Sequence, residues 1–291
     1  MSRPLFISVN GTGVPDPYGP GFSGDIGRAL TDPWNNVMAS FWGPELANVF
    51  DWQPIGYDAA VMGMDKSARG AVYRKPGTYS SDDTGGIVAQ VLARPKGTKH
   101  VLSGYSQGAI ATGICLVECY FDPKGPLNDR LSDLKGVVNF GDPKRSPGIA
   151  NGNKVAGLPM PKKLDGYTTG GIAGPGCLKP DQTPDWLLSC ALDGDLYAAA
   201  PVGDDPWHNE PLVGQIETRI YDFIQSGKLS TGIMAIAKGI AQEFEHPLAN
   251  TVALVQAIVN GLTFAAQGVQ APHWLYGPFV PAMVEWILAQ V

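Results

Sequence analysis

Residues 100–109 read His-Val-Leu-Ser-Gly-Tyr-Ser-Gln-Gly-Ala, with Gly104-Tyr105-Ser106-Gln107-Gly108 at their centre. A short β-prone apolar run enters a G-x-S-x-G turn, and a helix-compatible stretch leaves it. The flanking glycines remove the Cβ crowding that forbids a sharp strand-to-helix turn. Such a turn lifts the Ser106 hydroxyl clear of a sheet. It also aims the backbone N–H of Gln107 at an oxygen that gains negative charge. The pentapeptide occurs by chance in many proteins, so the case for a nucleophile over an ordinary turn rests on the strand–turn–helix context.

Strand and helix signals alternate on either side of this turn. Residues 5–9 are apolar and β-prone and end in Asn10-Gly11-Thr12-Gly13. This loop can bring backbone N–H groups near a substrate oxygen, or be a plain tight turn. A helix is expected over 34–46, with Asp32 as cap and Pro33 at its first position. A strand is expected over 49–55, and a helix capped by Ser80 or Ser81 and running to about Ala93. The elbow helix should run from Gln107 to about Tyr120, and residues 134–140 form another strand before Gly141-Asp142-Pro143. Residues 143–184, rich in Gly, Pro, Asn and Lys, read as a long surface excursion. A last strand covers 186–192. Helical patterns follow over 212–224, 233–244 and 248–266, and a closing helix over 279–291. The alternation predicts an α/β fold with a mostly parallel sheet flanked by helices, whose chemistry sits at the carboxyl ends of strands. With the elbow, this resembles the α/β-hydrolases. Residues 1–200 and 268–291 are read as the catalytic core, and 201–267 as a helical insertion.

The chain has 291 residues, 44% hydrophobic and 16% charged, enough for a large core. Its net charge of −6 and the lack of a basic block argue against nucleic-acid binding. No export signal is expected before the first strand. The most apolar late stretch, 251–266, is broken by Gln256, Asn260 and Gly261, short of a membrane span. Cys115 and Cys119, four residues apart on a helix, read as buried small hydrophobes. Cys177 and Cys190 lie in loop-rich sequence where either a bridge or two free thiols fits. No Cys/His spacing resembles a zinc site, and no metal or organic cofactor is called for.

A serine hydroxyl needs a base, and the base needs a carboxylate to orient it. The chain has four histidines. His100 begins the elbow strand, at the far end from Ser106. His208, His246 and His273 remain. A late loop histidine suits a base that leans over the serine, which favours His273, with His208 second. Asp142, Asp193 and Asp195 qualify by position as the acid, and Asp195, after Gly194, is slightly ahead.

Further segments carry a resemblance. Gly104-Tyr105-Ser106-Gln107-Gly108-Ala109 resembles the nucleophile motif of cutinase-like serine esterases. Cys190-Ala-Leu-Asp-Gly194-Asp195 is similar to the segment whose Asp is the triad acid. His273-Trp-Leu-Tyr276-Gly277 resembles the segment carrying the triad base. Asn10-Gly11-Thr12 resembles the first oxyanion loop. The resemblance implies a catalytic Ser106, Asp195 and His273, with Thr12 and Gln107 at the oxyanion hole. Cutinases are usually shorter and secreted, with a Cys soon after the catalytic Asp, and no Cys follows position 190 here. The long interval between Asp195 and His273 resembles instead the lysin B proteins of mycobacteriophages and related actinobacterial phages. That resemblance spans nearly the whole chain. It implies hydrolysis of the ester between mycolic acids and arabinogalactan. It also implies a monomer made in the host cytoplasm without a signal peptide, which meets the lipid-rich envelope after release. Some relatives carry an N-terminal peptidoglycan-binding module, and none is expected here. A general cutinase or lipase, and a non-catalytic envelope-binding module, are the alternatives. Trp207, Trp274, Tyr276 and Phe279 are candidates to line an apolar approach, or to pack in the core.

Overall fold

The computed structural model describes residues 3–31, 49–60, 63–78, 84–225 and 270–291. Its strands bear apolar residues on both faces, and only a sheet covered on both sides buries such strands. They are β1 (Leu5–Val9), β2 (Asp51–Ile55), β3 (His100–Tyr105), β4 (Leu134–Phe140) and β5 (Leu187–Cys190). The helices are α1 (Phe22–Thr31), α2 (Met64–Tyr73), α3 (Ile87–Leu92), α4 (Gln107–Ile114), α5 (Asn151–Val155), α6 (Pro206–Asn209), α7 (Leu212–Gln225) and α8 (Val280–Leu288). The five strands are parallel throughout, in the order β2-β1-β3-β4-β5. This is the expected parallel sheet with helical flanks.

Leu5, Ile7, Val9, Leu102, Val137 and Leu187 form one apolar layer with Ala68 and Val72 of α2, Val91 of α3 and Ile110 of α4. Phe6, Val101, Val138, Phe140 and Leu188 form the other, with Ile26 and Leu30 of α1 and Met283, Val284 and Ile287 of α8. Each of these side chains larger than alanine contributes about 1.5–3 kcal/mol on burial, so both layers hold the sheet. Val9 pairs with Gly104, Gly104 with Asn139, and Tyr105 with Phe140, itself opposite Cys190. Four strands therefore end along one line, and their loops leave side by side.

Some expectations need correction. Helices α1 and α2 have weak sequence signals, because glycines depress helix propensity. In α1 a side chain at Gly27 would collide with the Trp52 indole, so close packing, not propensity, sets that residue. The elbow helix is α-helical only to Ile114 and continues as a π-helix over Cys115–Phe121. That segment still buries Cys115, Leu116, Cys119 and Tyr120, while Arg69 and Tyr73 of α2 bond Glu118. The stretch after β4 is not all surface excursion. Arg145 is 1% exposed. Its guanidinium donates to the carbonyls of Ala198 (2.6 Å), Ile149 (2.9 Å) and Thr169 (2.7 Å), which draws the chain inward. Burial lowers the Arg145 pKa to about 10. All four cysteines are buried free thiols, so Cys177 and Cys190 are not bridged. No helix among the described residues is long and apolar enough to cross a membrane. The helices expected over 34–46, 233–244 and 248–266, the cap at 80–83, His246 and most of the expected insertion lie outside the described residues.

His100 is buried at the start of β3. Its Nδ1 lies 3.1 Å from the Thr98 carbonyl oxygen and its Nε2 2.7 Å from the Tyr120 hydroxyl. Burial lowers its pKa from 6.5 to about 4. Below pH 6.5 the unfolded chain binds a proton that the folded one refuses, so stability falls as pH falls toward 4. The loss should reach about 3 kcal/mol there. Urea unfolding from pH 7 to 4 should show this slope, and His100→Gln should flatten it. An equal slope in both proteins would contradict the assignment.

Candidate active site

Steric exclusion at two glycines shapes the serine turn. A Cβ on Gly104 would strike the Gly108 carbonyl, and one on Gly108 would strike the Val9 carbonyl oxygen. Helix α4 therefore starts directly against β1 and β3. Ser106 takes φ 55° and ψ −116°, a conformation costing about 1–3 kcal/mol for a residue with a Cβ. Its N–H donates to the Phe140 carbonyl at 2.9 Å, and its carbonyl accepts from Ala109 at 2.9 Å. These bonds hold the strained residue in place.

His273 comes from a 3-10 turn, Pro272–Trp274, before α8. Its Nε2 lies 2.9 Å from Ser106 Oγ, and its Nδ1 lies 3.0 and 3.1 Å from the two carboxylate oxygens of Asp195. A carboxylate only accepts, so Nδ1 carries the proton and Nε2 is left to accept from the serine hydroxyl. Asp195 is fully buried. Its carboxylate also accepts from the Tyr197 N–H at 3.0 Å and the Tyr276 hydroxyl at 2.5 Å. Burial, then the Asp195 charge, pushes the Tyr276 hydroxyl well above the usual tyrosine range, so it stays a donor.

The expected Ser106, Asp195 and His273 are thus brought together. The rival acids are held elsewhere. Asp142 accepts from the Lys144 N–H at 2.8 Å and the Asn139 amide at 3.3 Å, and burial raises its pKa. Asp193 accepts from the Lys162 N–H at 2.6 Å on the surface. His208 is exposed and meets Asp205 at 2.9 Å.

Gln107 is fully buried. Its side-chain amide donates to the carbonyls of Ala60 and Met64, each at 3.0 Å. Its backbone N–H stands at the first position of α4, where a helix spends no donor internally. The Gly11 loop lies over Ser106: a Cβ on Gly11 would sit 3.3 Å from Ser106 Cβ. Next in this loop, Thr12 turns its hydroxyl to Met64 Sδ at 3.5 Å.

Other contributors lie outside the expected set. Tyr105, the variable residue of the elbow, stacks on the His273 ring at 5.2 Å and donates to the His273 carbonyl at 2.9 Å. Its position beside Ser106 is the only sequence hint. Tyr197 lies 4.8 Å from the same imidazole. Arg145 fixes Ala198, whose N–H donates to the Asp195 carbonyl at 3.1 Å. Tyr276 and Phe279 are fully buried, so they do not line an approach surface. Instead Trp274 and Leu275, 51% and 45% exposed, flank the histidine. Among the described residues no group of three or more His, Cys, Asp or Glu can hold a metal ion.

A parallel sheet with a serine on a strained strand-to-helix turn defines an α/β-hydrolase fold. No family model matches the chain. It is 30% identical over 286 residues to endolysin B of Mycobacterium phage L5, covering 96% of each chain. It is 29% identical to endolysin B of Mycobacterium phage D29, covering 94% of each. The crystal structure of lysin B from Mycobacteriophage D29 superimposes with a TM-score of 0.59 at 27% identity, covering 98% of this chain and 99% of that one. The chain belongs to the endolysin B family.

The hydrogen-bonded run from Asp195 through His273 to Ser106 is an arrangement in which an imidazole can take a serine proton. A fluorophosphonate probe should therefore label Ser106, and labelling should be lost in Ser106→Ala and slowed by at least about a hundredfold in His273→Ala. Equal labelling of His273→Ala would show that the imidazole does not activate the serine.

Proposed function

We propose that this protein is a serine esterase of phage lysis that hydrolyses the ester joining mycolic acids to arabinogalactan. The observation that carries this reading is the unbroken path from Ser106 Oγ through His273 to Asp195 in an endolysin B chain. Ser106 Oγ attacks the ester carbonyl carbon while His273 Nε2 takes its proton. Asp195 stabilises the resulting imidazolium. The Gln107 N–H and the Thr12 loop face the oxyanion, where one donor is worth about 3 kcal/mol. As the tetrahedral intermediate collapses, the bond to the sugar oxygen breaks and His273 returns the proton to that alcohol. Water then attacks the acyl-serine, His273 takes its proton, and Ser106 Oγ regains one as the fatty acid leaves.

Trp274 and Leu275 offer the acyl chain an apolar contact at the mouth of the site. The protein acts on the envelope after release from the host cytoplasm, as a monomer.

Purified mycolyl-arabinogalactan should release free mycolic acids with the protein as isolated. Ser106→Ala should lower this rate by about 10⁴-fold or more with the fold intact. Hydrolysis of p-nitrophenyl butyrate without mycolate release would make the protein a general carboxylesterase, and no turnover of either ester would refute the reading. Tyr276→Phe removes one charge-assisted donor from Asp195, so kcat for both esters should fall about tenfold with little change in KM. Unchanged kcat would show that the tyrosine only packs.

A further inference from the structure

A cleft of about 460 Å³ opens between the start of α2, the segment after Asp142, and the helices α6 and α7. Its chemistry comes from Asp65, Lys144, Trp207, Glu210, Arg219 and Asp222. Lys144 Nζ lies 3.2 Å from Asp65 Oδ2, across the wall of the cleft. Glu210 is held by the Thr218 hydroxyl at 2.8 Å, and the Trp207 indole N–H is fixed on the Cys177 carbonyl at 3.0 Å.

This lining discriminates among ligands. An anion would face three carboxyl groups. A cation would face the Lys144 ammonium and the Arg219 guanidinium. An acyl chain would strip water from charged groups without replacing their hydrogen bonds. A neutral polyol suits both signs at once: each hydroxyl can donate to a carboxylate and accept from a cation in charge-assisted bonds. The C–H face of a sugar ring also fits an indole, and the volume is within the range of small-ligand sites.

The cleft is built from the segments that frame the serine. Asp65 follows Met64, whose carbonyl accepts from Gln107 and whose sulfur meets Thr12. Lys144 anchors its N–H on Asp142. The residue before Asp142, Gly141, leaves no room for a Cβ, which would come within 2.7 Å of His273 Cε1. We propose that this cleft binds the carbohydrate part of an acylated polysaccharide, beside the site that cuts its ester. Its place in catalysis rests on the esterase reading, but sugar binding does not.

The test uses full-length Ser106→Ala protein, so that nothing is hydrolysed, and arabinogalactan stripped of acyl chains by alkali. Saturation-transfer NMR should show the glycan bound. Arg219→Gln and Asp222→Asn, both at exposed positions, should each weaken binding about tenfold at an unchanged melting midpoint, the loss of one charge-assisted bond. Arg219→Lys should keep most of the affinity. Absence of glycan binding, binding unaffected by either variant, or displacement of the glycan by inorganic phosphate or octanoate would overturn the proposal. Glycan binding by Ser106→Ala, with no ester cleaved by the parent protein, would retain the cleft and reject the esterase reading.

Discussion

Helix α4 begins in direct contact with the carboxyl end of β1. With no side chain at Gly108, the helix can abut the Val9 carbonyl. That closeness forces the reversal at Ser106 into a left-handed backbone and leaves the Gln107 N–H at the helix opening. The sheet register supplies the remainder. Because Tyr105, Phe140 and Cys190 stand opposite one another, the loops after β3, β4 and β5 begin level. A histidine returning before α8 can then reach across them.

Buried polar groups hold those loops where apolar packing cannot. Arg145 distributes its donors over carbonyls from three separate segments, Ala198, Ile149 and Thr169. Removing it would leave those acceptors in a dry interior, which is far more costly than losing one ordinary hydrogen bond. Asn153 does similar work, donating to Ala191 at 2.8 Å and accepting from its N–H at 2.9 Å. The loop carrying Asp195 is thus positioned by a polar scaffold that begins some fifty residues earlier, at Arg145.

Much of this was readable from the chain. The elbow strand, β1 and β4 stand out because local apolar runs and turn residues report directly on backbone geometry. Ser106 follows from that geometry. Asp195 and His273 are less direct: position puts His273 ahead of His208 and Asp195 only slightly ahead of Asp142 and Asp193, and the resemblance raises both further. Helix α1 is hard to read from sequence because the Gly27 that weakens its propensity is set by packing against Trp52. Arg145 resembled any charged loop residue, since nothing local says that a cation will be buried. The sequence leaves Tyr276 open between lining the approach and packing in the core, because its partner Asp195 is 81 residues away.

Tyr105 sits at a place in the elbow where the bare pattern accepts any amino acid. Its ring and hydroxyl grip the turn carrying His273, so His273 and the neighbouring Ser106 share one brace. The variable letter of the motif therefore carries a structural task of its own in this chain. Removing the aromatic hydroxyl there would cut the hydrogen bond that ties the elbow to the His273 carbonyl.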